Sequence, residues 1–250
     1  MGMACKMRQT PHAGEPAWAY GPPMSIYGRI FAAMYDRMLA STERDGLTAH
    51  RAALLAQASG DVLEIGGGTG ANLRHYGDAV SSLTITEPEQ PMVKRVQARI
   101  AEQAAQARLL RAPAEDLPFA DDSFDTAVST LVLCTVDDQP RALRELRRVL
   151  RPGGRLLFIE HVRSEDPKLA RWQDRMLPLN RRIAHGCHCN RPTLDSIRAA
   201  GLDVTEVEHD TLKHAPPFVR PLVVGVARAS GRAVDVVDPG DALGVGLDVG

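Results

Sequence analysis

Three consecutive glycines, Gly66-Gly67-Gly68, followed by Thr69 and Gly70, interrupt the apolar run Val62-Leu63-Glu64-Ile65. Glycine loses the most backbone entropy on ordering, so such a run belongs where bare main chain is needed. The usual need is a nucleotide-like ligand pressed against the backbone. Two registers fit. Gly66-x-Gly68-x-x-Ala71 matches the dinucleotide fingerprint, and Gly66-x-Gly68-x-Gly70 matches a loop used for a different nucleoside. Glu87 closes a strand-like run 17 residues after Gly70, where a carboxylate accepts the hydroxyls of a ribose. Both ligand classes want that acid, so Glu87 points to a nucleoside without naming it.

A second set of reactive residues lies further along the chain. His161 ends another strand-like run and reads either as a group on the side of a second substrate or as a rim histidine capping a neighbour. His185, Cys187, His188 and Cys189 could bind metal by residue type. Ligands so close in sequence rarely close a tetrahedral site alone, so no metal is expected and the stretch reads as a pocket-lining loop or as plain packing. Cys134 reads as a small buried hydrophobe.

These residues need a scaffold, and strand-like and helix-like segments alternate to supply one. Helices are expected at about 24–40 and 43–58, then strands at 61–66 and about 81–87, a helix from Gln90, and a short strand at 107–113. "FDTAVSTLVL", residues 124–133, is continuously apolar, as central parallel strands are. A helix over 138–150 stops at Arg151-Pro152-Gly153-Gly154, and a strand at 155–162 follows. A helical insertion at 166–184, a helix from Arg191 to Gly201 and strands at 203–210 and 221–228 complete the series. Such alternation predicts an α/β fold with a mostly parallel sheet covered on both faces. Ligands then bind at the carboxyl ends of the strands. That is where the glycines, Glu87, Ala114, Glu115, Thr130 and His161 fall.

Composition narrows the class. The 250 residues carry 44% hydrophobic and 24% charged side chains with a net charge of −1, which gives no global pull toward nucleic acid or an acidic membrane. Arg144, Arg147, Arg148 and Arg151 suit the solvated face of one helix and the turn after it. Cys5, Cys134, Cys187 and Cys189 are too few and too irregular for a disulfide framework, and no run reaches the length of a membrane span, so a cytoplasmic protein is expected. Residues 1–23 read as a flexible arm, 24–229 as one catalytic domain, and 230–250 as a disordered tail. Met24, Tyr27, Ile30, Phe31, Met34, Tyr35 and Met38 recur at helical spacing. They predict an amphipathic helix on the core, a lid over the ligand, or a weak membrane-surface contact.

Three further stretches decide between the ligand classes. "AEDLPFADDSFD", residues 114–125, "LRPGGRLLFIE", residues 150–160, and the glycine loop with Glu64 occur in one order and spacing. Over about residues 30–228 the chain resembles the type 11 S-adenosylmethionine-dependent methyltransferases. "GTGANL", "STLVLCTV", "RELRRVLRPGG" and "FIEHV", with Trp172-Gln173, Pro178 and Gly186-Cys187 in register, are similar to the alkyl thiol methyltransferase-like branch. The chain departs from it in lacking the apolar N-terminal anchor of the animal members and in carrying an extra His188 and Cys189.

The resemblance implies a Rossmann-like class I fold of seven strands, the last antiparallel, and S-adenosyl-L-methionine as cofactor. It implies that Gly66, Gly68 and Gly70 admit the methionine part, that Glu64 orders the loop near the ligand's amine, and that Thr69 and Asn72 bond at the same edge. Glu87 and Pro88 would hold the ribose end, Thr130 and Leu131 would border the cofactor, and Tyr35 would reach it from a lid. The family's acid before Ala-Glu is here Pro113, so adenine recognition falls to Glu115 or to backbone at Ala114. His161 and Cys187 stand on the acceptor side. The implied acceptor is a small apolar thiol, with a phospholipid amine or quinone-like ring as second choice; a catalytically silent cofactor-binding regulator is the rival of another class.

Overall fold

In the computed structural model, residues 26–230 are described apart from residues 104 and 185, with side chains from residue 32 onward. The arm, the tail, Cys5 and His185 lie outside the described residues. Seven strands form one sheet in the order β3-β2-β1-β4-β5-β7-β6. They are β1 (Gly60–Ile65), β2 (Val80–Thr86), β3 (Arg108–Leu110), β4 (Phe124–Thr130), β5 (Leu150–His161), β6 (Leu202–Thr211) and β7 (Pro221–Ala229). β1 through β5 pair in parallel, and β7 runs antiparallel between β5 and β6. The expected class I architecture is therefore present.

The helices are α1 (Ile26–Thr42), α2 (Thr48–Leu55), α3 (Gln90–Glu102), α4 (Gln139–Val149), α5 (Pro167–Ile183) and α6 (Thr193–Ala199). Asp138 caps α4 by accepting from the Arg141 amide at 3.0 Å, and Asp166 caps α5 by accepting from Lys168 at 2.8 Å. Both caps precede a proline in the first turn, where a missing N–H costs nothing. α4 buries Ala142, Leu143, Leu146 and Val149 along one stripe, against Leu63, Ala127 and Phe158 of the sheet. Each such fully buried leucine stabilises the fold by about 1.5–3 kcal/mol. Val96 of α3 and Leu54 and Leu55 of α2 pack with Val62, Val128 and Leu157 on the other face.

Several expectations are corrected. α1 and α2 are joined through a kinked turn, Glu43–Leu47, that Gly46 permits with φ 150°. Met34 and Met38 face solvent at 49% and 50% exposure, so the apolar stripe of α1 does not all lie on the core. Of the arginines expected on a solvated face, Arg144 is exposed, whereas half-buried Arg148 bonds Glu145 and the carbonyls of Leu117 and Phe119. β5 begins earlier than expected, at Leu150, across a register shift opposite Phe124–Thr126.

The correction with most consequence is the end of β4. The apolar run continues to Leu133, yet the strand stops at Thr130. Leu131 takes a left-handed φ of 59°, a conformation that costs a branched residue about 1–2 kcal/mol. The buried Glu160 carboxylate draws the chain aside. It accepts from the amides of Val132 and Leu133 at 3.0 Å, from Cys134 at 3.1 Å, and from the Ser129 hydroxyl at 2.6 Å. Those amides leave the sheet ladder for a single side chain.

Removing that side chain should be costly. Glu160→Ala strips two buried amides, Leu133 and Cys134, of their acceptor, at about 1–3 kcal/mol each. Urea unfolding should show a loss of roughly 2–6 kcal/mol, with a smaller loss for Glu160→Gln, which keeps one carbonyl oxygen.

Candidate functional site

The site is assembled at the carboxyl ends of β1, β2, β4 and β5. β1 runs into the glycine turn, which is closed by Gly70 N–H donating to the Gly67 carbonyl at 2.8 Å and tied to β2 by Gly67 N–H to Thr86 at 3.0 Å. Gly66 and Gly68 both have left-handed φ, 59° and 55°, but for different reasons. A Cβ on Gly66 would meet a Val132 methyl at 2.5 Å, so packing against the β4 turn demands glycine. A Cβ on Gly68 would meet no protein atom closer than 3.8 Å. Bare backbone at Gly68 serves conformation and close approach, not packing, and so fits a ligand laid on the loop.

Glu87 is 5% exposed at the end of β2. Its carboxylate accepts from Gly68 N–H at 2.8 Å and from Glu89 N–H at 2.9 Å, fixing the loop to the strand end. Pro88 is exposed beside it, its carbonyl accepting from Arg111.

Beneath the loop lies a buried polar chain. Glu64 accepts from Asn72 at 3.0 Å and from the Tyr76 hydroxyl at 2.7 Å. Burial pushes the Glu64 carboxyl up, and those two donors pull it back. Asn72 also donates to Thr130 Oγ1 at 3.1 Å and accepts from Arg51 at 2.7 Å, while Arg51 pairs with Glu43 at 3.0 Å. The polar atoms of Asn72 are thus used within the protein. Thr69 similarly donates to Asp36 of α1 at 2.6 Å, and Arg95 and Arg99 of α3 pair with the same carboxylate. α1 is therefore pinned to the glycine loop through Asp36, a residue the sequence did not single out. A cleft of about 340 Å³ on that flank is lined by Tyr35, Asp36, Thr69 and Gly70 among others. It includes neither Glu87 nor Thr130 nor His161, so it borders the loop from the helical side and does not define the cofactor position. Half-buried Tyr35 has its phenol pushed up by burial.

On the opposite edge, Ala114 is buried in the core, and Glu115 accepts from the amides of Asp137 at 2.9 Å and Asp138 at 3.3 Å. Glu115 thereby holds the segment leading into α4. Thr130 and Leu131 stand at the end of β4, between this segment and the glycine loop.

The residues expected on the acceptor side also converge. His161 ends β5, Cys134 follows the β4 turn, and Cys187 follows α5. Their side chains are buried, with His161 Nδ1 3.7 Å from Cys134 Sγ and 3.4 Å from Cys187 Sγ. The backbone holds them there: His188 N–H donates to the Cys134 carbonyl at 2.7 Å, and Asn180 donates to that of Cys187 at 2.9 Å. Gln173, fully buried, donates to the carbonyls of Val162 and Cys189 at 3.0 and 2.8 Å. The hydrogen bond from Cys134 and the charge of His161 hold the Cys187 thiol well below its usual range, and Cys134 is raised in turn. Burial lowers the His161 pKa, but the Cys187 thiolate outweighs it and the net direction is upward. His161 Nε2 is buried without a hydrogen-bond partner. The sequence had read Cys134 as a hydrophobe; it is buried among apolar neighbours, yet its sulfur faces His161.

The chain is similar to known proteins. Residues 63–158 match the methyltransferase domain family. Human thiol S-methyltransferase TMT1A is 32% identical over 201 residues, 79% of this chain and 82% of that protein. Human thiol S-methyltransferase TMT1B is 37% identical over 186 residues, 72% of this chain and 73% of that protein. Among solved structures, the [4+2]-cyclase SpnF superposes with a TM-score of 0.63 at 20% identity, over 82% of this chain and 95% of that one, which is a likeness of fold.

The two glycines should separate stability from binding. Gly66→Ala must displace Val132 as well as adopt a strained φ, so its thermal midpoint should fall further than that of Gly68→Ala. Gly68→Ala should fold with only the left-handed cost of about 1–2 kcal/mol, yet lose the midpoint rise that S-adenosylhomocysteine gives the unaltered protein. A Gly68→Ala protein stabilised as before by the ligand would remove the loop from the site.

Proposed function

The chain belongs to the S-adenosylmethionine-dependent methyltransferases, and from that premise we propose that its acceptor is a small apolar thiol. The bound cofactor supplies an electrophilic methyl on a sulfonium. The protein's task is to hold an acceptor in line, desolvated and about 3 Å from that methyl. Support for a thiol comes from the two human relatives, thiol S-methyltransferases by name, and above all from the character of the acceptor side. Cys134, Cys187, Cys189 and Val219 form a small apolar cluster there, and the Glu160 carboxylate beside it is occupied by the β4 turn. Such a surface suits an apolar sulfur better than an ammonium-forming amine.

In this reading the glycine loop lies along the methionine part, with Glu64 and Asn72 holding the loop in place from below. The Glu87 carboxylate accepts from the ribose, Pro88 flanks it, and backbone at Ala114 recognises adenine while Glu115 holds the turn before α4. Thr130 and Leu131 wall the cofactor from the acceptor. α1 closes over the loop through Tyr35 and the Asp36–Thr69 bond, and His161 and Cys187 face the acceptor. Among the described residues no helix is long and apolar enough to cross a membrane. The net charge of −1 supports a small-molecule substrate over nucleic acid, and the free Cys134, Cys187 and Cys189 support work in a reducing cytoplasm.

A methyl-transfer assay with labelled donor across thiols, amines, phenols, quinols and phospholipids tests the acceptor. Apolar thiols should be labelled; labelling confined to an amine, a ring or a headgroup would overturn the thiol reading. Calorimetry tests the cofactor site. Glu87→Ala should weaken S-adenosylmethionine and S-adenosylhomocysteine alike, since both carry the ribose, by about 1.5–3 kcal/mol or roughly 10- to 150-fold.

A further inference from the structure

The sequence argued against a metal because His185, Cys187, His188 and Cys189 are too close together in the chain. The fold gathers a different set. We infer that Cys134, His161 and Cys187 form a three-ligand site for a zinc-class divalent cation, with the fourth position open to the acceptor sulfur. The identity of that fourth ligand rests on the thiol reading above; the cation site does not.

Two sulfurs and one imidazole nitrogen are the ligands a borderline-soft cation selects. The three ligand atoms all lie within 4.8 Å of one another, and every residue is buried. Cation–sulfur bonds of about 2.3 Å and cation–nitrogen bonds of about 2.0–2.1 Å, meeting at the tetrahedral angle, put nitrogen and sulfur about 3.6 Å apart. The two measured separations, 3.4 and 3.7 Å, straddle that value. Both sulfurs address the same ring nitrogen. A cation between the three would take both sulfurs and that nitrogen as ligands at once.

The ligands come from three separate elements, and each is held from outside. The Cys134 amide donates to Glu160, the Cys134 carbonyl accepts from His188, and the Cys187 carbonyl accepts from Asn180. A site fixed this way needs little reorganisation to take up an ion. Among the described residues no fourth histidine, cysteine or carboxylate joins the set, although Cys189 is buried in the same apolar cluster. Three protein ligands and an open position is the arrangement of reactive zinc centres, not of closed structural ones.

An acceptor thiol entering the fourth position loses its S–H proton to solvent and binds as thiolate. A lone pair on that sulfur forms the new S–CH3 bond as the carbon–sulfonium bond breaks, leaving a neutral thioether on each side. No oxidant or reductant is involved. The methylated sulfur has lost its negative charge, binds the cation weakly and departs.

Metal content tests the site apart from any activity. The full chain, purified without a metal-binding tag, reconstituted with zinc and dialysed, should retain about one equivalent by mass spectrometry of the metal. Cobalt(II) in its place should show thiolate charge-transfer absorption and the intense visible bands of a four-coordinate ion. Cys134→Ala and Cys187→Ala should each cut retention at least about tenfold, with folding checked by circular dichroism, while Cys189→Ala should retain it. Wild-type protein without stoichiometric metal, or full retention in a folded Cys134→Ala/Cys187→Ala variant, overturns the proposal. Adding an apolar thiol to the cobalt form should shift its visible spectrum. Bound metal with a spectrum indifferent to thiols would keep the cation site and remove the open-position role; thiol methylation at full rate by protein shown to be metal-free would do the same to that role while leaving the thiol reading intact.

Discussion

Two carboxylates buried at the ends of parallel strands set the constraint from which the site follows. Glu64 is the penultimate residue of β1 and Glu160 that of β5, at 3% and 0% exposure. A carboxylate cannot be buried cheaply unless donors surround it, and the strands offer few there: Ser129 of β4 donates its hydroxyl to Glu160. Both must recruit donors from beyond the sheet. Glu64 takes Asn72 and Tyr76 from the chain after the glycine loop, and Glu160 takes three successive amides from the chain after β4. The loops are therefore shaped from below, by charge, before any ligand touches them from above.

The two halves of the site inherit different properties from this. The half around Glu64 is a polar chain running from Glu43 through Arg51 and Asn72 to Thr130, so it couples the segment after α1 to the end of β4. Asp36 adds a second tie from α1 to Thr69. The half around Glu160 is short of hydrogen-bonding partners once the turn is formed, and leaves sulfur and imidazole facing one another in an apolar wall. A polar, preorganised cradle next to a dry, soft one matches a reaction between a nucleoside-bearing cation and an apolar nucleophile.

Sequence order, the glycine turn and the acid at Glu87 were legible because each is a local signal: periodicity, a φ requirement, a fixed spacing. The seven strands followed from the same signals. Features that depend on pairs distant in the chain were not legible. Glu160 meets amides 26 to 28 positions away, and Asp36 meets Thr69 33 positions away; neither acid sits in a pattern that announces a partner. β4 was overrun to Leu133 for the same reason, since a left-handed leucine carries no compositional mark. Adjacent residues also misled. The cluster His185, Cys187, His188 and Cys189 drew the eye by adjacency, and the sequence did not show that Cys134 and His161 meet Cys187 from other elements. Glu115, one of two candidates for adenine, also accepts from the turn before α4.

The position of β7 has a bearing on assembly. It is the last strand among the described residues and yet lies inside the sheet, with β5 on one side and β6 on the other. Until residues 221–229 arrive, the long β5 has an open edge along its outer side, and His161, which pairs with Leu222, has no strand beside it. An unpaired edge of that length is a template for pairing with another chain. During synthesis, then, the parallel half of the sheet can form early, while the outer side of β5 waits for nearly the whole described chain to emerge. Truncations or stalled chains ending before Pro221 would carry the glycine loop with β5 unpaired on that side, and would expose an edge prone to self-association.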